Sequence, residues 1–305
     1  MLNQNQPLIS IITLNWNNTN LTLEFLESTR QFTYQNYEIL VCDMNSDIDP
    51  TEEIDMRNFP KTRVLRSPEN LGFCKGNNWG MRKARGDFFF IVNNDTEVTP
   101  DLLTRLIEPF FDPQYSGLIG ATSPKIKYFE NRSVIQYAGF GKVNSYTGRN
   151  NSLGGFEKDE GQYDKSYFTF GAHGCAMLLK RDVVEKAGMF PEKFFIYYDE
   201  LDLSARIQKA GYKILFVGQA EIFHKQSMTM GKNSPRKTYF MTRNRIMYMR
   251  RNTNTFQFVC FLFFFTFLST PKAFIKYLSE KQFDHIKSYW KAIIWNFKEN
   301  KYSIQ

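Results

Sequence analysis

The side chains best suited to catalysis in this sequence are carboxylates that follow apolar runs. Asp95 and Glu97 come directly after the apolar residues 88–92, where folding does not require acids. Carboxylate oxygens suit a hard divalent cation, and such a cation commonly holds a departing diphosphate with one or two carboxylates. We therefore predict a Mg²⁺ or Mn²⁺ site here, with a solvated acidic turn as the alternative.

A second acidic cluster, Asp199, Glu200 and Asp202, stands at the predicted N-terminus of a helix. Charge complementarity with the helix dipole would explain these acids without any function. In a crevice, one of them could instead accept a proton from an attacking hydroxyl, and we predict that catalytic role. His224, between apolar residues 220–223 and Lys225, is predicted as a further metal ligand, against the alternative of a structural histidine.

The elements that must position these residues alternate between strands and helices. Apolar runs predict strands at 8–14, 38–42, 63–65 and 88–92, with helices between them, of which the last covers residues 75–85. Strand-helix-strand units imply parallel pairs, so we expect an α/β fold with a mainly parallel central sheet. The strands end in polar residues, among them Asn15, Asp43 and Asp95, and ligands of open α/β sheets bind at those ends.

Later segments are less regular. Residues 112–166 predict loops and edge strands laid over the sheet, and a helix at 199–211 precedes a strand at 213–217. From residue 252 the chain changes character, so we predict a catalytic domain at 1–251 and a helical segment at 252–305. The apolar run 258–265 is short for a membrane span. The lysine-rich amphipathic pattern at 272–301 suits an anionic membrane surface, or else packs on the catalytic part.

Charge and cysteine content narrow the setting. The chain has 305 residues, a net charge of +8 and a pI near 9.1, which indicate an anionic partner. Residues 225–251 hold eight basic residues and no acid, although a solvated surface would explain them equally well. Four widely spaced cysteines predict neither a zinc site nor disulfides, and residues 1–29 contain no basic residue that could begin a signal peptide. We therefore expect a cytoplasmic location.

Seven motifs in register resemble glycosyltransferase family 2 over residues 8–250, most closely its rhamnosyltransferase-like branch. They are S-I-I-T-L-N-W-N-N at 10–18, I-L-V-C-D-M-N-S-D at 39–47, N-L-G-F-C-K-G-N-N at 70–78, V-N-N-D-T-E-V at 92–98, G-A-H-G-C-A-M-L-L at 171–179, G-M-F-P-E-K-F-F-I-Y-Y-D-E-L-D-L at 188–203 and F-H-K-Q-S at 223–227. The resemblance implies the GT-A fold, which binds a nucleoside diphosphate sugar.

The same resemblance assigns roles to individual residues. Asp95, with His224, would hold the metal, and Glu200 would be the catalytic base. The acid pair here is Asp199-Glu200 where relatives have Glu-Asp, so either acid remains a candidate base, and Asn93 stands where many relatives have a first aspartate. Arg243 would neutralise the departing diphosphate. The residues expected near the nucleotide sugar are Thr13, Asn15, Asp43, Asn70 and Asn94.

The resemblance therefore implies an inverting glycosyltransferase of the hexosyltransferase type. The expected acceptor is a lipid-linked glycan in the assembly of a surface polysaccharide such as O-antigen or capsule, with the protein peripheral on the inner face of the cell membrane and no nucleic acid as partner. A nucleotidyltransferase on a related fold is one alternative, but residues 10–18 lack the Gly and Arg that it would need. A catalytically silent membrane-associated protein is the other.

Overall fold

The computed structural model describes residues 6–115, 117–225 and 234–298. Within them the strands are β1 (Ile9–Asn15), β2 (Tyr37–Asp43), β3 (Thr62–Arg66), β4 (Phe88–Val92), β5 (Thr96–Val98), β6 (Ile119–Tyr128), β7 (Ile135–Tyr137), β8 (Tyr167–Thr169), β9 (Ala176–Lys180) and β10 (Lys213–His224). The helices are α1 (Thr19–Thr29), α2 (Thr51–Met56), α3 (Gly72–Lys83), α4 (Leu102–Ile107), α5 (Arg181–Ala187), α6 (Asp199–Lys209), α7 (Pro235–Asn252), α8 (Thr255–Phe264), α9 (Thr270–Ser279) and α10 (Phe283–Lys298).

The strands form one sheet in the order β3-β2-β1-β4-β9-β6-β10-β5, with β7 beside β6 and β8 beside β10. The half made of β3, β2, β1 and β4 is parallel. In the other half only β6 and β10 run parallel, and β9 is antiparallel to both of its neighbours. The expected α/β fold is confirmed, with a mixed sheet whose mainly parallel part is the first half.

Strand β6 corrects the expectation of loops and edge strands at 112–166. It lies between β9 and β10 and is buried over most of its length. The sequence pattern did not predict this strand, because the polar residues Thr122 and Lys125 interrupt the apolar run. Both are satisfied inside the protein: the Thr122 hydroxyl donates to the Leu106 carbonyl at 2.8 Å, and the Lys125 ammonium lies 3.1 Å from Asp159.

Much of the basic stretch 225–251 forms helix α7, while residues 226–233, including Lys232 and the end of the F-H-K-Q-S motif, lie outside the described part of the chain. This helix is not simply a solvated basic surface. Its buried residues include Arg243, Asn244, Ile246 and Met249. Its cations are therefore partly structural, and their partners lie in the site described below.

A π-helical turn at Phe265–Ser269 joins α8 and α9 into a helix over Thr255–Ser279. By length and composition, this is the one described helix long and apolar enough to cross a membrane. Within its most apolar stretch, 17% of the residues are buried. Helix α10 returns along α7, where Asn296 donates to the Arg243 carbonyl at 3.1 Å. Packing on the catalytic part thus applies to α10. The division at residue 251 stays a prediction, and Lys301 lies beyond the described residues.

Candidate active site

A buried polar network joins the carboxyl ends of β1 and β2. The Asn15 amide donates to Asp43 at 2.9 Å and accepts from the Thr22 hydroxyl at 2.8 Å. Thr22 in turn accepts from the Asn94 amide at 2.9 Å, and the Ser46 hydroxyl donates to Asp43 at 2.5 Å. Asn15, Asp43 and Asn94, which the sequence analysis assigns to the nucleotide sugar, therefore lie in one connected cluster.

The other two residues expected near the nucleotide differ from each other. Thr13 is fully buried in β1, and its hydroxyl has no hydrogen-bond partner among the described residues. Since alternate residues of a strand share a face, Thr13 lies on the same face as Asn15. Asn70 is exposed and accepts from the Gly72 amide at 2.9 Å, so it shapes the start of α3. No hydrogen bond within the described residues joins it to the network.

Asp95 and His224 meet where β5 pairs with β10. Antiparallel pairing sets His224 opposite Thr96, and the His224 Nε2 atom lies 3.3 Å from the Asp95 carboxylate. The other ring nitrogen, Nδ1, is 2.9 Å from the Gln136 amide oxygen. Burial lowers the pKa of His224, but its interactions with Cys175 and Asp95 outweigh burial and raise the pKa to about 11, so a cation that binds this ring must displace its proton.

The Asp95–His224 pair suits a divalent cation that takes its other ligands from phosphate and water. Within the described ranges, no cluster of three or more His, Cys, Asp or Glu is suited to hold a metal. A cation that keeps phosphate oxygens and water in its remaining positions needs no such cluster. Glu97 points elsewhere, since it pairs with Arg132 at 2.9 Å.

The acid pair follows a strained backbone segment at the start of α6. Phe195, Tyr197 and Tyr198 all have positive φ angles, of 64°, 68° and 65°. Non-glycine residues adopt this region only when the surrounding structure enforces it, and such strain concentrates at functional sites. Here Asn244 enforces it, because its side-chain amide donates to the carbonyls of residues 194, 196 and 197 at 2.9, 2.7 and 2.8 Å.

Burial changes the protonation of the acid pair. Asp199 is 2% exposed, and its pKa is raised well above the ordinary value, first by burial and then by the charge of Glu200. The pKa of Glu200 is also raised by burial. Cys74 on α3 hydrogen-bonds Asp199, and its thiol stays protonated because burial and the two acids raise its pKa. The pair therefore holds on to a proton more strongly than isolated carboxylates would.

Residues 174 and 175 connect the acid pair with the Asp95–His224 pair. A Cβ atom on Gly174 would lie 3.9 Å from the Glu200 Cβ. The next residue, Cys175, is close enough to His224 and Asp95 for its pKa to respond to both charges, although burial has the larger effect. Strand β9 begins directly after this segment, so two consecutive residues at its start lie beside the two pairs.

Two residues expected beside these pairs have other partners. Asp202 was expected among the catalytic acids, but it is fully buried between Arg206 at 2.9 Å and Arg251 at 2.8 Å, and it fastens α6 to α7. Arg243 was expected to face the diphosphate, but its guanidinium donates to the carbonyls of Lys193 and Phe194 at 2.6 and 2.7 Å. Both charges therefore have partners inside the fold, while the two assignments stay predictions.

Asn244 and Cys74 are the residues of this site that the sequence analysis missed. Their contacts join α7 and α3 to the segment before α6, over separations that no local pattern reveals. The only signal was position, since Asn244 follows Arg243 and Cys74 lies inside the motif at 70–78.

A family model described as Glycosyl transferase family 2 matches residues 10–188, more than half of the chain. An uncharacterised protein of Sinorhizobium fredii is 26% identical over 267 residues, which are 83% of this chain but 28% of that longer protein. The N-acetylglucosaminyl-diphospho-decaprenol L-rhamnosyltransferase of Mycobacterium tuberculosis is 21% identical over 229 residues, covering 68% of this chain and 73% of that enzyme. The solved structure of mannosyltransferase PcManGT from Pyrobaculum calidifontis, in complex with GDP-Man and Mn²⁺, shares the fold. Its TM-score is 0.58 at 15% identity, with 96% of this chain and 88% of that one covered.

Proposed function

Because the chain belongs to glycosyltransferase family 2, we propose that it transfers a sugar with inversion from a nucleoside diphosphate sugar to a lipid-linked acceptor. It is a glycosyltransferase with the GT-A fold. The proposal concerns the reaction course, the residues and the acceptor. The named mycobacterial relative acts on a lipid-diphosphate-linked sugar, which supports the same acceptor class in surface polysaccharide assembly.

Glu200 is the proposed base. It is partly exposed, whereas Asp199 beside it is buried, so an acceptor hydroxyl reaches Glu200 first. The hydroxyl oxygen forms a bond to the anomeric carbon while its proton passes to the Glu200 carboxylate. On the opposite face the bond between that carbon and the diphosphate oxygen breaks, and its electron pair leaves with the diphosphate. Asp199 retains the proton of the pair and so keeps Glu200 available as the carboxylate.

Asp95 and His224 are the proposed ligands of Mg²⁺ or Mn²⁺. A cation bound there would offset the charge that develops on the departing diphosphate. The mannosyltransferase of the same fold contains Mn²⁺ with its nucleotide sugar, which supports this assignment. The Asn15–Asp43 cluster and the Thr13 hydroxyl, which has no hydrogen-bond partner in the described part of the chain, are the proposed contacts of the nucleotide.

The helix over Thr255–Ser279 is proposed to lie on the membrane surface at the cytoplasmic face. Its start follows α7 directly, and its end leads into α10, which packs back along α7. Both ends are therefore fastened to the same side of the protein, which disfavours a crossing. The outward side chains are apolar, and exposed lysines flank them, as an anionic lipid surface requires.

One observation carries the proposal, namely that two consecutive residues, Gly174 and Cys175, lie beside the Asp199–Glu200 pair and the Asp95–His224 pair. The test is release of nucleoside diphosphate from a panel of donor sugars by the full-length protein, with Mn²⁺, Mg²⁺ or EDTA. Asp95→Asn should lower metal-dependent release by roughly 100-fold or more. Glu97→Gln is the matched control, because Glu97 lies two residues after Asp95 but pairs with Arg132. This variant should stay near the wild-type rate.

Other outcomes would overturn the assignment. Normal metal-dependent turnover in Asp95→Asn would remove Asp95 from the metal site. Formation of a nucleoside triphosphate and a sugar 1-phosphate when inorganic diphosphate is added to the donor, in place of nucleoside diphosphate release, would indicate a nucleotidyltransferase. A wild-type protein that binds and cleaves no donor in the panel would favour the catalytically silent alternative.

A further inference from the structure

A cavity of about 340 Å³ lies between α7, α9 and the residues before α6. Four cationic side chains line it, from three separate parts of the chain: Arg149, Arg245, Lys272 and Lys276. Its size is at the lower end of the usual range for ligand pockets, about 300 to 1,000 Å³. We propose that this cavity, here called the cationic pocket, binds the diphosphate of the lipid-linked acceptor. This inference rests on the proposed function.

The charge of the cationic pocket is unbalanced. Within the described ranges, no carboxylate lies within ion-pair distance of any of its four cations. The Lys125–Lys127 cluster of β6 behaves differently, because Asp159, Asp164 and Glu221 neutralise it within 3.3 Å. A cluster of cations that lacks acids attracts an anion, and low-dielectric walls strengthen that attraction.

One of these cations is fixed in place. The Arg245 guanidinium donates to the Thr147 carbonyl at 2.8 Å and to the Ser269 hydroxyl at 3.2 Å, and aromatic rings of α8 surround it. Lys272 and Lys276 lie one turn apart on α9 and are exposed, so their ammonium groups are free to close on a ligand. The pocket thus combines one rigid donor with two adaptable ones, an arrangement that suits several phosphate oxygens at once.

The position of the pocket matches an amphiphilic acceptor. One wall is Tyr198, which directly precedes the acid pair, and another is α9, whose Ile275 and Leu278 are exposed to solvent. The pKa of Tyr198 rises to about 12, first through burial, and responds to Arg245 and to Glu200. Tyr198 thus lines the pocket while the next two residues of the chain are the acid pair. An acceptor with its lipid at α9 and its sugar at Glu200 would place the diphosphate between them.

The proposed location of the donor diphosphate, next to Asp95 and His224, differs from the cationic pocket. An anionic phospholipid headgroup shares the chemistry of the acceptor diphosphate, so the experiment must separate these two sources. The probe is geranyl diphosphate, a short lipid diphosphate, titrated into the full-length protein in EDTA to keep the metal site out of the measurement. Vesicles of phosphatidylglycerol serve as the second ligand, and inorganic diphosphate as competitor.

Lys272→Ala/Lys276→Ala should weaken geranyl diphosphate binding by roughly tenfold or more, because two charged hydrogen-bond donors are lost. Lys291→Ala/Lys298→Ala on α10 removes the same charge outside the pocket and should change this Kd by less than about twofold. Inorganic diphosphate should displace geranyl diphosphate but not the vesicles. Both double variants should weaken vesicle binding to a similar degree.

Equal losses of geranyl diphosphate affinity in the two double variants would overturn the pocket, since surface charge alone would then explain binding. A loss confined to vesicles would assign Lys272 and Lys276 to phospholipid headgroups instead. The titration needs no turnover, so its result is independent of the donor-cleavage test. An active transferase that binds geranyl diphosphate unchanged after Lys272→Ala/Lys276→Ala would refute the pocket and leave the proposed function intact.

Discussion

Residues 194–198 are held by other parts of the same chain, whereas the outer face of α8 and α9 has no protein partner among the described residues. Asn244 and Arg243 bind four carbonyl oxygens of residues 193–197 between them. On the outer face of the helix over Thr255–Ser279, the side chains of Phe263 and Phe267 are 65% and 61% exposed. The geometry of the acid pair is thus set by contacts within the chain, while the apolar outer face of α8 and α9 is the surface proposed to meet the membrane.

The first way to test this contrast is to disable the acid that the strained segment presents. Glu200→Gln should lower kcat by about 10²- to 10⁴-fold with little change in donor Kd, because a general base acts mainly in the transition state. Asp199→Asn should cost less. Steady-state kinetics and donor titration of both variants check this prediction.

A larger kcat loss in Asp199→Asn than in Glu200→Gln would move the base to Asp199. If both losses stayed under about fivefold, the pair would have no part in proton transfer, and the strain at residues 195–198 would need another explanation. Unchanged circular dichroism in each variant is the control for folding.

The parts of this architecture that sequence alone predicted are those fixed by local pattern. Strand β4 was placed at its observed bounds because five apolar residues are followed by polar ones, and Asn15 and Asp43 end adjacent parallel strands. The missed features depend on distant contacts. The sequence did not reveal that Asp202 pairs with Arg251, and it did not reveal the buried partners of the polar residues in β6.

The second prediction concerns the exposed face. Phe263→Ser/Phe267→Ser should lower partitioning onto anionic vesicles by roughly 100-fold, since burial of each Phe in the interface is worth about 1.5 kcal/mol or more. The control is Ile48→Ser/Met56→Ser, which removes side chains that are 80% and 73% exposed in the other half of the protein. Vesicle flotation measures both. A similar loss in the control would mean that the contrast between the two regions does not exist.

A third, smaller effect should follow from loosening the strained segment. Asn244→Asp keeps the side-chain size but removes the amide donor, so three carbonyls lose their partner and kcat should fall by about tenfold. Donor Kd should stay within about twofold, because the nucleotide cluster lies on other elements. Asn252→Asp is the matched control on the same helix. The new carboxylate would lose the hydrogen bond to Asp202 and repel it, so this variant should lower stability without lowering kcat. A kcat loss in the control equal to that in Asn244→Asp would show that α7 as a whole sets the rate.

The smallest predicted effect is on stability and its dependence on pH. The folded-state pKa of Asp199 is raised, mainly by burial, so the folded protein holds this proton more tightly than the unfolded chain does. The stability that it contributes is fully present below the unfolded value of about 3.9 and is lost as pH rises through the raised folded pKa. Asn cannot ionise, so Asp199→Asn should unfold roughly 2 to 4 °C higher than wild type at pH 8, with the difference shrinking towards pH 4.

Asp202→Asn is the control with the opposite sign, three residues along the same helix. Burial would raise the pKa of Asp202, but Arg206 and Arg251 lower it below the ordinary value. Its contribution is therefore present above the unfolded value and lost as pH falls through the folded pKa. Asp202→Asn should unfold below the wild-type temperature at pH 8, because two buried guanidinium groups lose their carboxylate, and this deficit should shrink in acid. Thermal unfolding of both variants from pH 4 to 8 decides the matter. If both shifts had the same sign at pH 8, Asp199 would be an ordinary ion-paired acid, and the proton it is proposed to keep for Glu200 would not be there.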